Sequence, residues 1–242
     1  MSRSHDVEGE FGPHAWTART RTPPYYPDAV TLLPGADPAA LTERIDTTAP
    51  GATVKDSFAD LDLTDAGFDV LFEAQWIHRP AGPPAIAPAL AWDVVDDPAT
   101  LRAWALAWDD GNEAATDLFR PELLDDPATF VLAGQSPAGH VVSGAVASRS
   151  DDVVGISNLF PPADTPGTPD DPGTTDAHGA PNTPAAPDAA HARHTAWPAA
   201  LDAAHRLFPG LPVVGYEHGQ DLATAIRHGL RPLAPLRIWL RR

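Results

Sequence analysis

The sequence contains no cysteine and little positive charge. Its 242 residues include 16 basic and 33 acidic side chains, which give a net charge of −17. Without cysteine, disulfides, thiolate catalysis and cysteine-ligated metal or iron–sulfur centres are excluded. The acidic excess argues against nucleic acid or an anionic membrane surface as the main partner, because both require a cationic face.

The chain also lacks a long apolar run. The uncharged stretch over residues 80–92 is too short and too rich in proline to span a bilayer. The first residues carry no apolar segment of the kind found in secretory signals. We therefore expect a cytoplasmic protein that does not enter a membrane. Hydrophobic residues make up 43% of the chain, which is enough for a sizeable core.

The first eighty residues combine a polar start with short apolar runs. Residues 1–24 are polar and aperiodic, which predicts a flexible arm. Residues 25–79 form an α/β section. Asp37 followed by Pro38 is typical of a helix start, since the aspartate accepts main-chain N–H groups. Strands are predicted on either side of this helix at 29–33, 54–63 and 68–77.

Residues 90–242 are more regular. Apolar residues recur with helical spacing after Asp97-Pro98, at Leu101, Trp104, Ala105 and Trp108. Hairpin-length separators between three apolar runs predict an antiparallel meander at 129–134, 140–148 and 153–160. The pattern then predicts a helix, a strand, a helix and a strand pair at 197–208, 211–217, 221–228 and 231–240. Residues 161–194 are rich in proline and lack large apolar side chains, which predicts a disordered insertion.

The order of elements from residue 90 resembles that of the GCN5-related N-acetyltransferase (GNAT) superfamily. VVGISNLFPP at 153–162 looks like the family's fourth strand, and LPVVGYE at 211–217 looks like its fifth. The helix that ends at Gly229-Leu230 is similar to the family helix that ends in a Gly-Phe pair. The resemblance implies an α/β fold of the α+β type, with a mixed, mainly antiparallel sheet flanked by helices. Acetyl-CoA, as acyl donor, would lie between two splayed central strands.

The first section echoes this pattern. A strand at 29–33, a helix after Asp37 and a strand after Gly67-Phe68 repeat the order found over 211–240. Residues 25–79 are therefore interpreted as a strand–helix–hairpin half-copy of the GNAT C-terminal portion. The alternative is that any strand–helix–hairpin segment has this appearance.

Two departures from the family bear on activity. The family holds the CoA pyrophosphate on main-chain N–H groups of a glycine-rich loop after the fourth strand. Here that strand runs into Pro161-Pro162, and proline has no N–H to donate. The tyrosine that often acts as general acid in the family aligns with Ala225.

Candidate site residues lie at the ends of the two strands that resemble the family's central pair. The resemblance implies that the acyl donor contacts the end of the fourth strand, at Ser157, Asn158, Leu159 and Phe160. Tyr216 and Glu217 are the catalytic candidates, because a carboxylate there could accept a proton from an amine directly or through water. Alternatively, Glu217 caps the following helix or pairs with an arginine, and the strand-end polar groups satisfy main-chain atoms.

Two functions follow from this reading. One is an N-acyltransferase that acts on a small amine or a protein amino group. The other is a catalytically silent GNAT-fold module that binds a ligand or a protein partner. We expect no metal, because the histidines form no motif and the pair His191 and His194 lacks a rigid frame of carboxylates. The oligomeric state stays open.

Overall fold

The computed structural model describes residues 5–161 and 187–242, with side chains from residue 196 onward in the second range. Within these residues, eleven strands form one sheet that is flanked by helices. The strands are β1 (Gly9–Phe11), β2 (Ala15–Ala18), β3 (Ala29–Thr31), β4 (Thr53–Asp56), β5 (Phe68–Arg79), β6 (Asp93–Val94), β7 (Thr129–Gln135), β8 (Val141–Arg149), β9 (Val154–Phe160), β10 (Val213–Glu217) and β11 (Arg231–Arg241). The helices are α1 (Pro38–Thr42), α2 (Pro98–Trp108), α3 (Ala114–Leu118), α4 (Pro187–Leu207) and α5 (Gly219–Arg227).

The sheet is mixed and mainly antiparallel, as predicted. Its strand order is β1-β2-β3-β4-β11-β5-β10-β9-β8-β7-β6. Only two neighbouring pairs in this order, β3 with β4 and β9 with β10, are parallel. The predicted antiparallel meander is confirmed, because β8 pairs with β7 on one edge and with β9 on the other.

Around β7, β8 and β9, two hydrophobic cores lie on opposite faces of the sheet. Side chains alternate along a strand, so Ala145 and Ala147 of β8 face one core and Val146 faces the other. The first core packs under α4 and α5 and contains Trp197, Leu201, Val213 and Ala225 among others. The second packs under α2 and α3 around the indole of Trp104, as the predicted apolar stripe of α2 requires. No helix among the described residues is long and apolar enough to cross a membrane.

The prediction of a flexible arm over residues 1–24 is wrong for residues 9–18, which form two strands and the turn between them. Residues 9–18 form β1 and β2, and β2 pairs with β3 at the edge of the sheet. Asp28, which is 1% exposed, holds the following loop against β4. Its carboxylate accepts hydrogen bonds from the N–H of Thr22 at 2.9 Å and of Thr53 at 2.8 Å, and it pairs with Arg21 at 3.3 Å. These contacts join residues far apart in sequence, so local composition did not reveal them.

The predicted strand over 54–63 ends early, at Asp56. The carboxylate of Asp56 is fully buried and accepts hydrogen bonds from the N–H groups of Phe58 at 3.3 Å and Leu61 at 3.1 Å. This places residues 57–61 in a turn around one side chain. The apolar alternation that predicted a strand instead supplies Leu61 and Leu63 to the core beside α1.

Three further predictions need correction or lie outside the structure. The helix predicted from Trp197 begins at Pro187, so residues 187–194 of the predicted insertion belong to α4. The other residues of that insertion, 162–186, lie outside the described residues. The strand pair predicted over 231–240 is one strand, β11, which pairs with β5 along its length despite register shifts between Pro232 and Pro235 and between Ile238 and Trp239.

The two sections of the chain share their central strands. β5 belongs to the first section but pairs with β10 of the second, and β11 belongs to the second but pairs with β4 of the first. The parallel pair β3–β4 lies on one side of the central strands β11 and β5, with β4 next to β11. The parallel pair β9–β10 lies on the other side, with β10 next to β5. The strand that corresponds by position to β10 is therefore β4, not the run at 29–33 that the sequence matched to it. The half-copy itself stays a prediction.

Asp28→Asn should destabilise the protein. Both oxygens of the Asp28 carboxylate accept hydrogen bonds, but the amide of an asparagine has only one oxygen. One buried N–H donor would therefore face the NH₂ group and lose its acceptor, at a cost of about 1–3 kcal/mol. For a chain of this size each kcal/mol lowers the Tm by about 2–4 °C. Thermal unfolding measures this, with Asp152→Asn in an exposed turn as the control. Equal Tm values for the two variants would show that Asp28 does not anchor the loop.

Candidate functional site

The parallel strands β9 and β10 separate after two paired residues. Val213 pairs with Val154 and Val214 pairs with Gly155, and the pairing ends there. Beyond this point β10 continues along β5 to Glu217, while β9 continues along β8 to Phe160. The facing edges of the two strands therefore leave main-chain groups that a bound molecule can satisfy. We call the space between residues 157–160 and 216–217 the strand opening.

A bulge bends β9 where it leaves β10. Gly144 and Val146 of β8 pair with Phe160 and Ser157, so β9 carries one residue more than β8 in this interval. Asn158 lies within it and has φ +53°, a left-handed conformation that asparagine tolerates better than most residues. Bulges of this kind bend a strand and redirect its side chains.

The four residues of β9 that were predicted to contact the acyl donor differ in the exposure of their side chains. The side chain of Ser157 is exposed and that of Asn158 is half-buried. Leu159 packs against the core under α4. Phe160 is 7% exposed and lies edge-on to Trp104 at 5.2 Å, so its side chain belongs to the other core. Phe160 can therefore contribute main-chain atoms to the strand opening, but not its ring.

Tyr216 and Glu217 lie on opposite faces of β10. Tyr216 packs edge-on against Trp76 with ring centroids 5.8 Å apart. Gly215 faces the other side, where a Cβ would lie 3.1 Å from the carbonyl oxygen of Ile156 on β9 and 3.7 Å from Ile77 in the core under α4 and α5. By strand alternation Glu217 points to the same side as Gly215. The two predicted catalytic residues thus border the strand opening from different faces of the sheet.

A lysine on the Tyr216 face was not among the predicted site residues. Lys55, the only lysine of the chain, places its Nζ 4.1 Å from the ring centroid of Tyr216 and 4.3 Å from that of Trp76. Both distances are within the range of a cation–π interaction. The indole N–H of Trp76 donates to the carbonyl of Ser57 at 2.8 Å and so fixes the ring. We call Lys55, Trp76 and Tyr216 the lysine–aromatic cluster.

Burial shifts the pKa values in this region. It lowers the pKa of the Lys55 amine to about 8, because the charged form loses solvation. It raises the pKa of Tyr216, and the charge of Glu217 adds to that effect. The pKa of Tyr26 is raised in the same way, mainly by burial and then by Tyr216. The sequence signal for this cluster was a single lysine, Lys55, within a predicted strand. The rings that contact it are on β5 and β10, far along the chain.

A separate cavity of about 580 Å³ lies between residues 21–25 and the α2–α3 region. Tyr25 on its rim has φ +69°, is 80% exposed and packs edge-on against Trp108 at 5.7 Å. None of the predicted site residues lines this cavity. It is therefore a second place where a small molecule could bind.

Two other observations concern catalytic groups. Ala225, which aligns with the family tyrosine, is on α5 and fully buried in the core that α5 shares with α4, so this position supplies no acid. Within the described parts of the chain, no three histidine, aspartate or glutamate side chains are grouped so that they could hold a metal ion.

Comparison with known proteins identifies the fold. No model of a protein family matches the chain, and no curated protein matches it. Among solved structures, a GCN5-related N-acetyltransferase from Kribbella flavida matches at 16% identity and TM-score 0.52, covering 98% of this chain and 90% of the other. A GCN5-related N-acetyltransferase-like protein from Streptococcus suis matches at 15% identity and TM-score 0.51, covering 96% and 85%. A functionally unknown conserved protein from Staphylococcus epidermidis matches at 8% identity and TM-score 0.60, covering 100% and 97%.

These matches show that the chain has the GNAT fold, and the fold predicted from the sequence is confirmed. The likeness extends over nearly the whole chain, so it includes the first section as well as the region from residue 90.

Lys55 should titrate near pH 8 in the folded protein. Because it is the only lysine, ¹³C labelling of lysine gives one side-chain NMR signal, whose midpoint we expect at about 8 and not at the ordinary 10.5. Between these values the unfolded chain binds more protons than the folded one, so the free energy of unfolding should rise with pH from about 8 upward. The labelled protein in denaturant is the control. A folded-state midpoint close to 10.5 would show that Lys55 is solvated.

Proposed function

We propose that this protein is an acyl-CoA-dependent N-acyltransferase that acts on a small amine or a protein amino group. The observation that carries the proposal is the strand opening between β9 and β10. Support also comes from the fold, which is shared with solved structures described as GCN5-related N-acetyltransferases.

The strand opening suits a flexible acyl donor that contains amide groups. Past Gly155 and Val214 the facing edges of β9 and β10 no longer pair with each other. The pantetheine arm of CoA carries amides that can bind these edges as a strand would. The bulge at Asn158 lies beside the same space, and in this proposal a main-chain N–H of the bulge polarises the thioester carbonyl.

Glu217 and Tyr216 have different roles in this proposal. Glu217 accepts the proton that the attacking amine must lose, directly or through water. Tyr216 has a raised pKa, so its phenol stays protonated and can donate a hydrogen bond or a proton. In the reaction the amine nitrogen bonds to the acyl carbon, the carbon–sulfur bond breaks, and the thiolate takes up a proton.

The second candidate is a GNAT-fold binding module without catalysis. Specific features favour it: Pro161 offers no N–H after β9, the ring of Phe160 is in the core, and Ala225 replaces the family acid. Such a module keeps the fold and does not bind CoA. A test of acyl-CoA binding therefore separates the two candidates.

Acetyl-CoA should bind to the wild-type protein and not to Ser157→Trp. An indole at this exposed position of β9 fills the strand opening without entering a core, so the fold should survive while the heat of binding disappears. Ser148→Trp is the matched control, because Ser148 is also exposed but lies opposite Gly155, where β9 and β10 are still paired. Calorimetric titration and Tm measurements on the three proteins give the answer. A folded wild-type protein that shows no heat would leave only the binding module.

Glu217→Gln should slow turnover while acetyl-CoA binding and the Tm stay at wild-type values. Loss of a general base typically reduces the rate by about 10²–10⁴-fold. Thiol release from acetyl-CoA with a panel of primary amines measures the rate, and Glu122→Gln at an exposed position is the control. An unchanged rate in Glu217→Gln would remove the carboxylate from the mechanism and favour its alternative role as a cap or ion-pair partner.

A further inference from the structure

The side chain of Lys55 reaches across the sheet toward the strand opening. Lys55 is on β4, and two strands, β11 and β5, separate β4 from β10. Three strand spacings correspond to about 14 Å between the backbones of β4 and β10. The Lys55 Nζ nevertheless lies 4.1 Å from the ring of Tyr216, which borders the opening. Its amine therefore lies on the Tyr216 face of the sheet, beside the strand opening.

The amine is held by aromatic rings and not by an acid. The chain has 33 acidic residues, yet among the residues that the structure describes, the contacts of the Lys55 Nζ are with the rings of Trp76 and Tyr216. A carboxylate partner would stabilise the ammonium form and raise its pKa, whereas the loss of solvation on burial lowers that pKa. A neutral amine is the nucleophilic form, and desolvation in an apolar site is a known way to activate a lysine.

We propose that Lys55 accepts an acyl group from a thioester bound in the strand opening, so that the protein acylates itself at its only lysine. This inference rests on the function proposed above. The neutral Nζ attacks the carbonyl carbon of an acyl-CoA, and a carbon–nitrogen bond forms as the carbon–sulfur bond breaks. The nitrogen loses one proton and the CoA thiolate gains one, which leaves an amide on Lys55 and free CoA. The reaction removes the positive charge that Trp76 and Tyr216 surround.

The test uses the full chain and acetyl-CoA as the probe. Intact-mass and peptide mass spectrometry should show one acetyl adduct, on the peptide that contains Lys55. Its rate of formation should saturate with acetyl-CoA concentration and fall when free CoA is added, because the donor is bound before it reacts. Lys55→Arg should form no adduct and keep its Tm, since the guanidinium keeps the charge. Ser157→Trp should suppress the adduct and Ser148→Trp should not.

The possible outcomes distinguish a failure of this inference from a failure of the proposed function. A heat of acetyl-CoA binding without an adduct on Lys55 overturns the inference and leaves the proposed function intact. An adduct that forms at a rate linear in acetyl-CoA, or equally in Ser157→Trp, overturns it as well, because it reflects reaction from solution. If the wild-type protein shows neither heat nor adduct, both the proposed function and the inference fail.

Discussion

The outer neighbours of β9 and β10 hold these two strands apart. All five residues of β10 pair with β5, and β9 pairs with β8 up to Phe160, while only two residues of β10 pair with β9. Each strand therefore keeps the hydrogen bonds on its outer edge, toward β5 or toward β8. The sheet stays intact although the inner edges of β9 and β10 separate. Since β5 comes from the first section of the chain, that section is needed to build the strand opening.

Dependence on residues that are distant in sequence also explains which parts of the structure could be predicted and which could not. The order of elements from residue 90 is local information: hairpin-length turns separate β7, β8 and β9, and a helical apolar stripe marks α2. The edge strands β1 and β2 were missed because they are three and four residues long and depend on pairing with β3 and on the distant anchor Asp28. Asp56, whose carboxylate ends β4, is another case in which one buried side chain overrides an alternating pattern.

The site residues stay a prediction, and the structure adds the directions of their side chains to it. The ends of two strands that were matched to the family border one opening, since parallel pairing ends just before them. The opposite directions of Tyr216 and Glu217 follow from register, and the burial of the Phe160 ring follows from its contact with Trp104. Lys55 could not be placed from sequence, because its partners Trp76 and Tyr216 are on strands that become neighbours only in the folded sheet. With a net charge of −17, the chain repels anions at long range, so the proposed binding of a CoA thioester requires short-range contacts in the opening.

The central claim is that a CoA thioester occupies the space between β9 and β10. Backbone amide NMR spectra recorded with increasing acetyl-CoA test it directly. The account predicts that the largest shift changes fall on the amides of residues 157–160 and 216–217. Changes confined to residues 21–25 and to α2–α3, where the separate cavity lies, or no changes at all, would contradict it.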